Sequence, residues 1–489
     1  LIALSGAATA ENQYLVRVPA NVNLSAATPE APAEPISVVL SPEALPAAMV
    51  NEPYSFNLAD RLSITGGTGS YNLGDVAWSL KAGDALPPGL ALENGTIAGT
   101  PTVKNEAGTS FEVTGTYQDA SGKQVYTIVV DGQVLKVTQI VTGIKHTCAV
   151  TLSGGAKCWG LNNDGQLGDG STAQRLTPVN VSGLTSGVAS LTAGGYHTCA
   201  VTSGGAVKCW GRNASGQLGD GTAAQRLTPV DVSGLTSGVA SLTAGEVHTC
   251  AVTTSGGAKC WGSNGTRALG DNSSTNRLTP VDVSGLTSGV ASLTAGSNHT
   301  CAVTTSGGAK CWGYNEYGRL GDGSTTTRGA PVDVSGLTSG VASMTAGYGH
   351  TCALTATGGV KCWGNNSLGQ LGDGSTTTRW TPVDVSGLTS GVAKIEAGNY
   401  HACAVTTAGG AQCWGVNNYG VLGDGSATSR LTPVNVNGLT SGVDSLTAGE
   451  YHTCAITTSG GAKCWGYNFS GQLGDGTSTN RATPVDVLP

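Results

Sequence analysis

The feature that most constrains the fold is a repeat of 51 residues. All seven histidines of the chain keep this spacing: His146, His197, His248, His299, His350, His401 and His452. In every repeat a Cys lies two residues after the His, a second Cys lies ten residues further on, and a Trp follows it directly. One Asp (Asp169 to Asp475) and one Arg (Arg175 to Arg481) recur as strictly. A repeat of this length predicts a solenoid or a propeller.

Each repeat is interpreted as four short strands with no helical pattern. In the third copy the predicted strands cover residues 239–242, 249–253, 258–261 and 279–283. A Thr-Ser-Gly-Gly hairpin turn at 254–257 separates the second strand from the third, because glycine can take the positive φ that such turns require. Seven copies of four strands predict an all-β fold, a seven-bladed β-propeller over residues 133–489.

Composition excludes several other classes. Charged residues make up only 11% of the chain, against about 25% in an average soluble domain, while glycine supplies 76 residues. Amphipathic helices need more Leu, Lys, Glu and Arg than this. A net charge of −7 argues against a nucleic-acid partner, which needs a concentrated basic face. No stretch approaches the roughly 18 apolar residues that span a membrane, so we expect no transmembrane span.

The repeat motif HTCAVTTSGGAKCWG, followed by GQLGDG, resembles the repeat of the regulator of chromosome condensation family over about residues 137–489. The resemblance implies a seven-bladed propeller. Members of that family include a nuclear guanine-nucleotide exchange factor and secreted bacterial β-lactamase inhibitor proteins, and a Cys pair in each repeat is typical of exported bacterial versions. The family shares a scaffold rather than an activity, so the resemblance implies the fold and leaves the function open.

The fourteen cysteines predict seven disulfides, one within each repeat. Placing the two cysteines of a repeat opposite each other leaves a three-residue loop, a common hairpin length. Buried free thiols packed between blades are the alternative. An even count in a lysine-poor chain without CxxC favours disulfides and an oxidising compartment. The predicted pairs are Cys148–Cys158, Cys199–Cys209, Cys250–Cys260, Cys301–Cys311, Cys352–Cys362, Cys403–Cys413 and Cys454–Cys464.

The pattern of strands and turns in residues 37–132 predicts a separate immunoglobulin-like β-sandwich. Strand-like runs at 36–40, 111–117 and 125–130 are separated by Gly, Pro and Asn turns. The segment Leu86–Pro101 is similar to the signature of bacterial immunoglobulin-like (cadherin-related) domains, which implies an extracellular spacer. Residues 1–36 are interpreted as an N-terminal segment. Leu1–Ala10 resembles the end of a signal peptide or is an ordinary mature N-terminus, Tyr14–Val18 predicts a strand, and Thr28–Pro35 predicts a stiff linker.

Two residue patterns resemble metal-binding sites but are interpreted as structural. Seven equivalent histidines would form a ring too wide for one metal, so we expect each to hydrogen-bond a neighbouring blade. The loop around Asp169 lacks the carboxylates of a calcium site, so Asp169 and its equivalents are expected to cap a turn and to face the repeated Arg. No catalytic constellation recurs. The sequence therefore predicts neither an enzyme nor a metal or cofactor site. We also expect Val485–Val487 to close the ring beside the first blade.

Differences among the seven copies indicate a binding face. Variation concentrates at the two residues before each His, at the residue after Trp-Gly and at the pair after the next Asn, and the predicted register places all three at one end of the blades. Aromatic residues collect there, and Tyr with Asn and Ser on a rigid scaffold is typical of recognition surfaces. Rings that only fill gaps are the alternative. The candidate ligand-binding residues are Tyr196, Arg212, Tyr314, Tyr317, Tyr348, Trp380, Tyr400, Tyr419, Tyr451, Tyr467 and Phe469.

The leading functional hypothesis is an exported bacterial recognition or adhesion protein. Its propeller would bind a glycan or a protein of a cell surface, and the immunoglobulin-like module would carry it on a cell surface, a filament or a virion-like appendage, attached or self-assembled through the N-terminal segment. A secreted inhibitor that caps an enzyme is the alternative. An intracellular exchange factor fits the cysteine content and the N-terminal module less well.

Overall fold

The computed structural model describes residues 34–50, 52–67, 70–103 and 105–489. The chain divides between Gly132 and Gln133 into two compact units. The predictions for Leu1–Ala10, for Tyr14–Val18 and for most of the segment 28–35 lie outside the described residues. Within the described part, no helix is long and apolar enough to cross a membrane.

The N-terminal unit is a β-sandwich with strands in sheets of four, three and two. The four-stranded sheet has the order β2-β9-β8-β5, the three-stranded sheet β3-β7-β6, and β1 pairs with β4. Phe111, Ile97 and Ile128 are among the side chains buried in its core. The strands are β1 (Ser37–Leu40), β2 (Ala48–Met49), β3 (Tyr54–Asn57), β4 (Leu62–Thr65), β5 (Ala77–Leu80), β6 (Leu90–Glu93), β7 (Thr96–Gly99), β8 (Asn105–Tyr117) and β9 (Ala120–Asp131), with 3-10 helices at Leu58–Arg61 and Leu73–Asp75.

The propeller contains seven sheets of four antiparallel strands, each sheet taken from one sequence repeat. Blades one to three are β10 (Val137–Thr142), β11 (His146–Thr151), β12 (Ala156–Gly160), β13 (Arg175–Asn180), β14 (Val188–Ala193), β15 (His197–Thr202), β16 (Val207–Gly211), β17 (Arg226–Asp231), β18 (Val239–Ala244), β19 (His248–Thr253), β20 (Ala258–Gly262) and β21 (Arg277–Asp282). Blades four and five are β22 (Val290–Ala295), β23 (His299–Thr304), β24 (Ala309–Gly313), β25 (Arg328–Asp333), β26 (Val341–Ala346), β27 (His350–Thr355), β28 (Val360–Gly364) and β29 (Arg379–Asp384). Blades six and seven are β30 (Val392–Ala397), β31 (His401–Thr406), β32 (Ala411–Gly415), β33 (Arg430–Asn435), β34 (Val443–Ala448), β35 (His452–Thr457), β36 (Ala462–Gly466) and β37 (Arg481–Asp486).

The hairpin between the second and third strands of each blade carries the disulfide. In blade three Cys250 lies opposite Cys260 in the register, and the amide of Thr253 donates to the carbonyl of Gly257 at 2.8 Å. Gly256 has φ of 78°, which is the left-handed conformation that the three-residue loop needs. All seven predicted pairs form disulfides, with Cα–Cα separations of 4.0–4.1 Å, and no cysteine of the described residues is free.

The histidines join neighbouring blades, as the sequence predicts. His146 Nε2 lies 3.0 Å from the Thr198 hydroxyl of the next blade. That hydroxyl donates to the carbonyl of Gln166, which also accepts from the indole nitrogen of Trp210. Because the hydroxyl proton goes to the carbonyl, the threonine oxygen accepts from a His Nε2–H. The His–Thr contact recurs in six of the seven joints at 2.8–3.0 Å.

The predicted segment Val485–Val487 closes the ring through Val487, but it does not do so as a strand added to the first blade. Val485 pairs with Cys464 inside blade seven, so the last strand is not added to the first blade. Closure occurs at Val487, directly after the last strand, where the Leu135 amide donates to the Val487 carbonyl at 2.8 Å and the Leu135 carbonyl accepts from the Ala462 amide at 3.0 Å. Each repeat already holds its own four strands, so none is missing from blade one. Leu135 takes the place that Leu184 holds at the first joint between blades, where it accepts from the Ala156 amide.

Replacing Ala402 with Thr should stabilise the propeller. His350 faces Ala402 where the other six joints have Thr, and both ring nitrogens of His350 are without a hydrogen-bond partner. The new hydroxyl would accept from Nε2 and donate to the Gln370 carbonyl, as in the other joints. We expect Ala402→Thr to raise the free energy of unfolding by about 1 kcal/mol, measured by denaturant titration. A matched Ala404→Thr, which adds the same side chain to the same strand away from His350, should not stabilise, and equal gains in both would contradict the role of the joint.

Stability should fall as the pH drops below about 6.5. Burial lowers the pKa of His146 to about 3 and that of His248 to about 4, and the other five histidines are shifted in the same direction. The unfolded chain then binds protons near its ordinary histidine pKa of about 6.5 while the folded propeller does not, so acid favours unfolding. Glu246, Glu396 and Glu450, whose pKa values are raised, act in the opposite direction but are fewer.

Calorimetry between pH 7 and pH 5 measures this effect. Each histidine contributes up to about 1.4 kcal/mol per pH unit, so the melting temperature should fall steadily across this range. The repeated aspartates do not contribute, because their pKa values lie below it in the folded and the unfolded chain alike. A melting temperature that is constant or rises on acidification would contradict burial of neutral histidines.

Candidate functional site

The candidate site is one face of the propeller, which we call the variable face. It consists of the loops between the first and second strands and between the third and fourth strands of every blade. His146 pairs with Gly160, so both loops of blade one leave the sheet at the same end. The opposite face carries the constant turns and a repeated ion pair, such as Lys310 with Asp333 at 2.6 Å. The sequence differences among the repeats are therefore concentrated on one side of the scaffold, although single exchanges such as Gln412 with Asn435 in place of the Lys–Asp pair occur on the other.

The long loop of each blade is held rigid from within. Asn162 is buried and donates to Asp169 and to two backbone carbonyls, while its side-chain oxygen accepts from the Leu167 amide. Asp169 accepts from the Ser171 amide and from Arg175, as the sequence predicts for a turn-capping Asp. Burial acts to raise the pKa of Asp169, but the hydrogen bonds from Ser171, Arg175 and Asn162 outweigh it and lower the pKa. Variable side chains on this loop therefore project from a fixed backbone.

Six aromatic rings form a continuous ladder on the variable face of blades five to seven. Successive ring centroids lie 5.6, 5.5, 5.3, 4.9 and 5.1 Å apart, within the range of favourable aromatic pairs. The ladder thus joins both kinds of loop into one surface. In order of contact its members are Tyr348, Tyr400, Tyr451, Tyr419, Tyr467 and Phe469.

Arg319 extends this surface into blade four. Its guanidinium lies 4.8 Å from the ring centroid of Tyr314 and 5.5 Å from that of Tyr317. It also donates to the backbone carbonyl of Tyr348 at 2.8 Å, which connects the two tyrosines to the ladder. Tyr314 donates to the exposed Glu316 at 2.5 Å. The structure therefore brings Tyr314, Tyr317 and Tyr348 together around one arginine.

The remaining predicted residues lie apart from the ladder or at its border. Tyr196 and Arg212 contact each other in blade two, with the guanidinium 5.6 Å from the ring. Trp380 belongs to β29 rather than to the long loop where the sequence interpretation placed it. Its side chain covers Gly318 of the preceding blade, at the position where Leu227 covers Gly165. Trp380 therefore forms the outer rim of the face.

The rings keep surface available for a partner. Phe469 is 63% exposed, Trp380 51%, Tyr419 38% and Tyr348 37%, and the other tyrosines of the face are half-buried. Packing between the rings thus uses only part of each of them. Burial, together with nearby Glu450, raises the pKa of Tyr451 to about 12, so this phenol stays neutral and can donate a hydrogen bond.

Two glutamates stand at the centre of the variable face. Burial raises the pKa of both Glu246 and Glu450, and Glu246 raises that of Glu450 further through charge repulsion. Lys145 and Arg212 on the face act against these shifts, for Glu450 and Glu246 respectively. Throughout the described residues no group of three or more His, Cys, Asp or Glu is arranged to hold a metal ion. The arrangement supports binding by stacking and hydrogen bonding.

Sequence reasoning missed two residues. Arg319 is not among the predicted binding residues, yet it is 1% exposed and lies among them, with its Nε unpartnered. Its position holds Gln in four other copies, so the departure from the repeat was the available signal. Glu396 replaces a residue that is Thr in five other copies and lines the central channel of the ring. Both departures are visible only when the copies are compared position by position.

The propeller is similar to known proteins along its whole length. A family model described as "RCC1-like domain" matches residues 239–489, and two described as "Regulator of chromosome condensation (RCC1) repeat" match 154–201 with 205–252 and 137–166 with 188–217. The "Putative Ig domain" model matches residues 36–131.

Curated relatives cover the same region. The ultraviolet-B receptor UVR8 of Arabidopsis thaliana is 33% identical over 71% of this chain and 81% of its own length. The human E3 ubiquitin-protein ligase HERC2 is 33% identical over 67% of this chain, which corresponds to only 7% of HERC2. The mitochondrial RCC1 domain-containing protein RUG3 of A. thaliana is 30% identical over 67% of this chain and 81% of its own length.

Solved structures agree on the fold. Yeast RCC1 (Prp20) bound to Kap60 superposes with a TM-score of 0.61 at 20% identity, over 73% of this chain and 86% of that protein. Human WBSCR16 gives 0.60 at 22% identity, over 68% of this chain and 94% of that protein. The match of the RCC1-like model to just over half of the chain and the identity with UVR8 place this protein in the regulator of chromosome condensation (RCC1) repeat family, with an immunoglobulin-like domain before its propeller.

Proposed function

We propose that this protein is an exported recognition protein whose propeller binds a protein on a cell surface through the variable face. The observation that carries the proposal is the ladder of six rings together with the Arg319 cluster. Aromatic and arginine side chains are the commonest anchors of protein interfaces, and a rigid scaffold presents them at low entropic cost. The mixed charge around them favours a protein over a nucleic acid.

Relatives support a protein partner rather than a catalytic role. The yeast homologue has been crystallised with Kap60, and a second structure of it was described together with its binding to Gsp1p and histones. Those partners belong to that protein. For this chain the relevant point is that propellers of this family bind proteins, while the rings identify which face would do so here.

Seven disulfides support export. Disulfides persist in oxidising compartments and are rare in reducing ones. One bridge closes each blade hairpin, so the pairing is uniform around the ring. An immunoglobulin-like domain before the propeller suits a spacer that holds a binding head away from a surface. We therefore place the protein outside the cell, either free or attached through its N-terminal segment.

Removing four tyrosines of the face should abolish binding. The change is Tyr314→Ala, Tyr317→Ala, Tyr348→Ala and Tyr400→Ala in the full chain. Central aromatic anchors carry about 2 kcal/mol or more each, so the combined loss would exceed what a binding assay detects. The measurement is binding of fluorescently labelled full chain to a panel of bacterial and host cells, followed by titration on the positive cells.

Controls for this experiment come from the opposite face. Ser255→Ala with Ser306→Ala removes exposed hydroxyls from the constant turns and should leave binding unchanged. Loss of binding after protease treatment of the cells indicates a protein partner, whereas loss after glycosidase treatment alone would overturn the protein proposal in favour of a glycan. If the four-tyrosine variant binds as well as wild type while stably folded, the rings have only a packing role.

Arg319 is a positioning residue for this face. It is buried, forms no ion pair in the propeller although the Glu316 charge acts on it, and contacts Tyr314, Tyr317 and the Tyr348 carbonyl at once. Burial is the main cause that lowers its pKa, because removing the charged guanidinium from water costs free energy. A buried charge without a partner carboxylate indicates that Arg319 serves the placement of the rings more than global stability.

Arg319→Gln should therefore loosen the face without unfolding the propeller. Gln occupies this position in four other blades, so the fold accepts it. We expect the free energy of unfolding to change by less than about 1 kcal/mol, because lost cation–π contacts are offset by relief of the buried charge. The tyrosine signal in near-ultraviolet circular dichroism should fall, and partner affinity should drop about tenfold. A large fall in melting temperature with an unchanged tyrosine signal would identify Arg319 as a structural residue instead.

A further inference from the structure

The central channel of the propeller has an acidic lining for which binding at the variable face gives no reason. The innermost strands of all seven blades line a channel of about 410 Å³. Its lining includes Glu246, Glu396 and Glu450. Among the residues of the propeller, all of which the structure describes, no lysine or arginine lines the channel. Most of the other lining positions are Thr, Ala, Gly and Ser. Three carboxyl groups of one sign are thus placed in a narrow passage among neutral side chains.

Glu396 is the most unusual of these groups. The equivalent residue is Thr in five other blades and Val141 in blade one. The Thr345 hydroxyl of the preceding blade accepts from the Ala397 amide, and Thr243 makes the same contact with Ala295, so in two blades this position ties one inner strand to the next. The backbone of Glu396 pairs with Cys403 in the sheet, but its carboxyl group makes no hydrogen bond or ion pair in the propeller. A carboxyl group replaces a structural hydroxyl without a structural partner.

The surroundings of Glu396 leave its charge uncompensated. The charged group that acts on it is Lys394 on its own strand, and Lys394 pairs with Asp444 of the next inner strand at 3.5 Å. Burial raises the pKa of Glu396 to about 8, against a smaller opposing effect of Lys394. At neutral pH the group is therefore mostly protonated until a cation arrives.

The mouth of the channel has the chemistry that attracts a cation. Glu246 and Glu450 repel each other across it, and their pKa values stay raised although Arg212 lies near the first and Lys145 near the second. A further positive group between the two carboxyl groups would relieve their repulsion. Tyr400 and Tyr451 stack at 5.5 Å between ring centroids, near enough to Glu450 for its charge to raise the pKa of both phenols, and their phenol oxygens can accept from an ammonium group. Within the chain itself, the ammonium group of Lys145 already lies 5.6 Å from the Tyr467 ring.

We propose that the central channel binds a primary ammonium group at the end of an aliphatic chain, which enters at the variable face and pairs with Glu396. The mouth carboxylates and phenol oxygens attract the cation, the neutral walls accept the aliphatic part, and Glu396 receives the charge. A lysine side chain of a protein partner and a free polyamine both present this chemistry. The site does not depend on the proposed function, because small amines alone suffice to test it.

Calorimetric titration of the full chain with spermidine and with the peptide acetyl-Gly-Gly-Lys-Gly-Gly-amide tests the site. We expect at least one of them to bind, and Glu396→Thr, which restores the common residue of the position, to weaken binding at least about tenfold. Glu396→Gln keeps the side-chain size and should give the same loss if the Thr variant folds poorly. Asp333→Asn removes one charge at the opposite face, where two other blades already have Asn, and should bind like wild type.

Proton release provides a second readout. Pairing with an ammonium group should ionise Glu396 and release about one proton at pH 7, seen as a dependence of binding enthalpy on the buffer. Wild type should show it and Glu396→Gln should not. Binding of the lysine peptide but not of its norleucine analogue would indicate a partner side chain as the source, and binding of spermidine alone a free polyamine.

Several results would overturn the proposal. These are no binding of either amine to wild type, equal binding to Glu396→Thr, equal binding of the norleucine peptide, or the same loss with Asp333→Asn. A variant carrying Tyr314→Ala and Tyr317→Ala leaves the channel intact and should still bind the amine. If that variant no longer binds cells but still binds the amine, the fault lies in the variable face and not in the site at Glu396.

Discussion

The joint between blades is the interaction on which the rest of this structure depends. A histidine of one blade donates to a threonine of the next, and that threonine shares a loop carbonyl with a buried tryptophan. The imidazole packs against a glycine before it, such as Gly143 beside His146, where an added Cβ would collide with the ring. Each joint links the start of a strand to the base of a long loop. The joint therefore fixes both the angle between blades and the origin of the variable loops.

The repeat made most of this predictable from the sequence. Identical spacing of His, Cys and Trp predicted the strands, the hairpin register and the disulfides, because a contact repeated seven times leaves seven copies of the same pattern. The role of the histidines followed from the same count, since no single metal or catalytic centre uses seven equivalent groups. The predicted position of the face also followed from register, and the ring contacts between Tyr419 and Tyr451 show that its two kinds of loop meet.

Contacts made by only one copy were harder to predict, because they are defined by neighbours in space. Leu135 closes the ring although it lies outside the regular spacing. Arg267 stands at a position that is Gly in the other six copies, and the residue it covers, Gly329, stands where most copies have Leu. That exchange of a large and a small residue keeps the joint filled. Trp380 covers Gly318, where Leu covers the equivalent glycine in most other joints. Each such residue differs from its equivalents in the other copies, and the residue that it contacts belongs to the neighbouring blade.

Residues that differ from the repeat consensus fall into two groups: those compensated by a matching change on the neighbouring blade, and those that are not. The exchange of Arg267 with Gly329 has a compensating partner, so packing explains it completely. Arg319 and Glu396 have no such matching exchange: Arg319 is a buried cation that forms no ion pair in the propeller, with only the Glu316 charge nearby, and Glu396 is a carboxyl at a position where two other blades have a bonding hydroxyl. A scaffold that tolerates Gln or Thr at these positions elsewhere gains no stability from the charged residues. Their presence in a chain with only 11% charged residues is best accounted for by what the variable face and the channel bind.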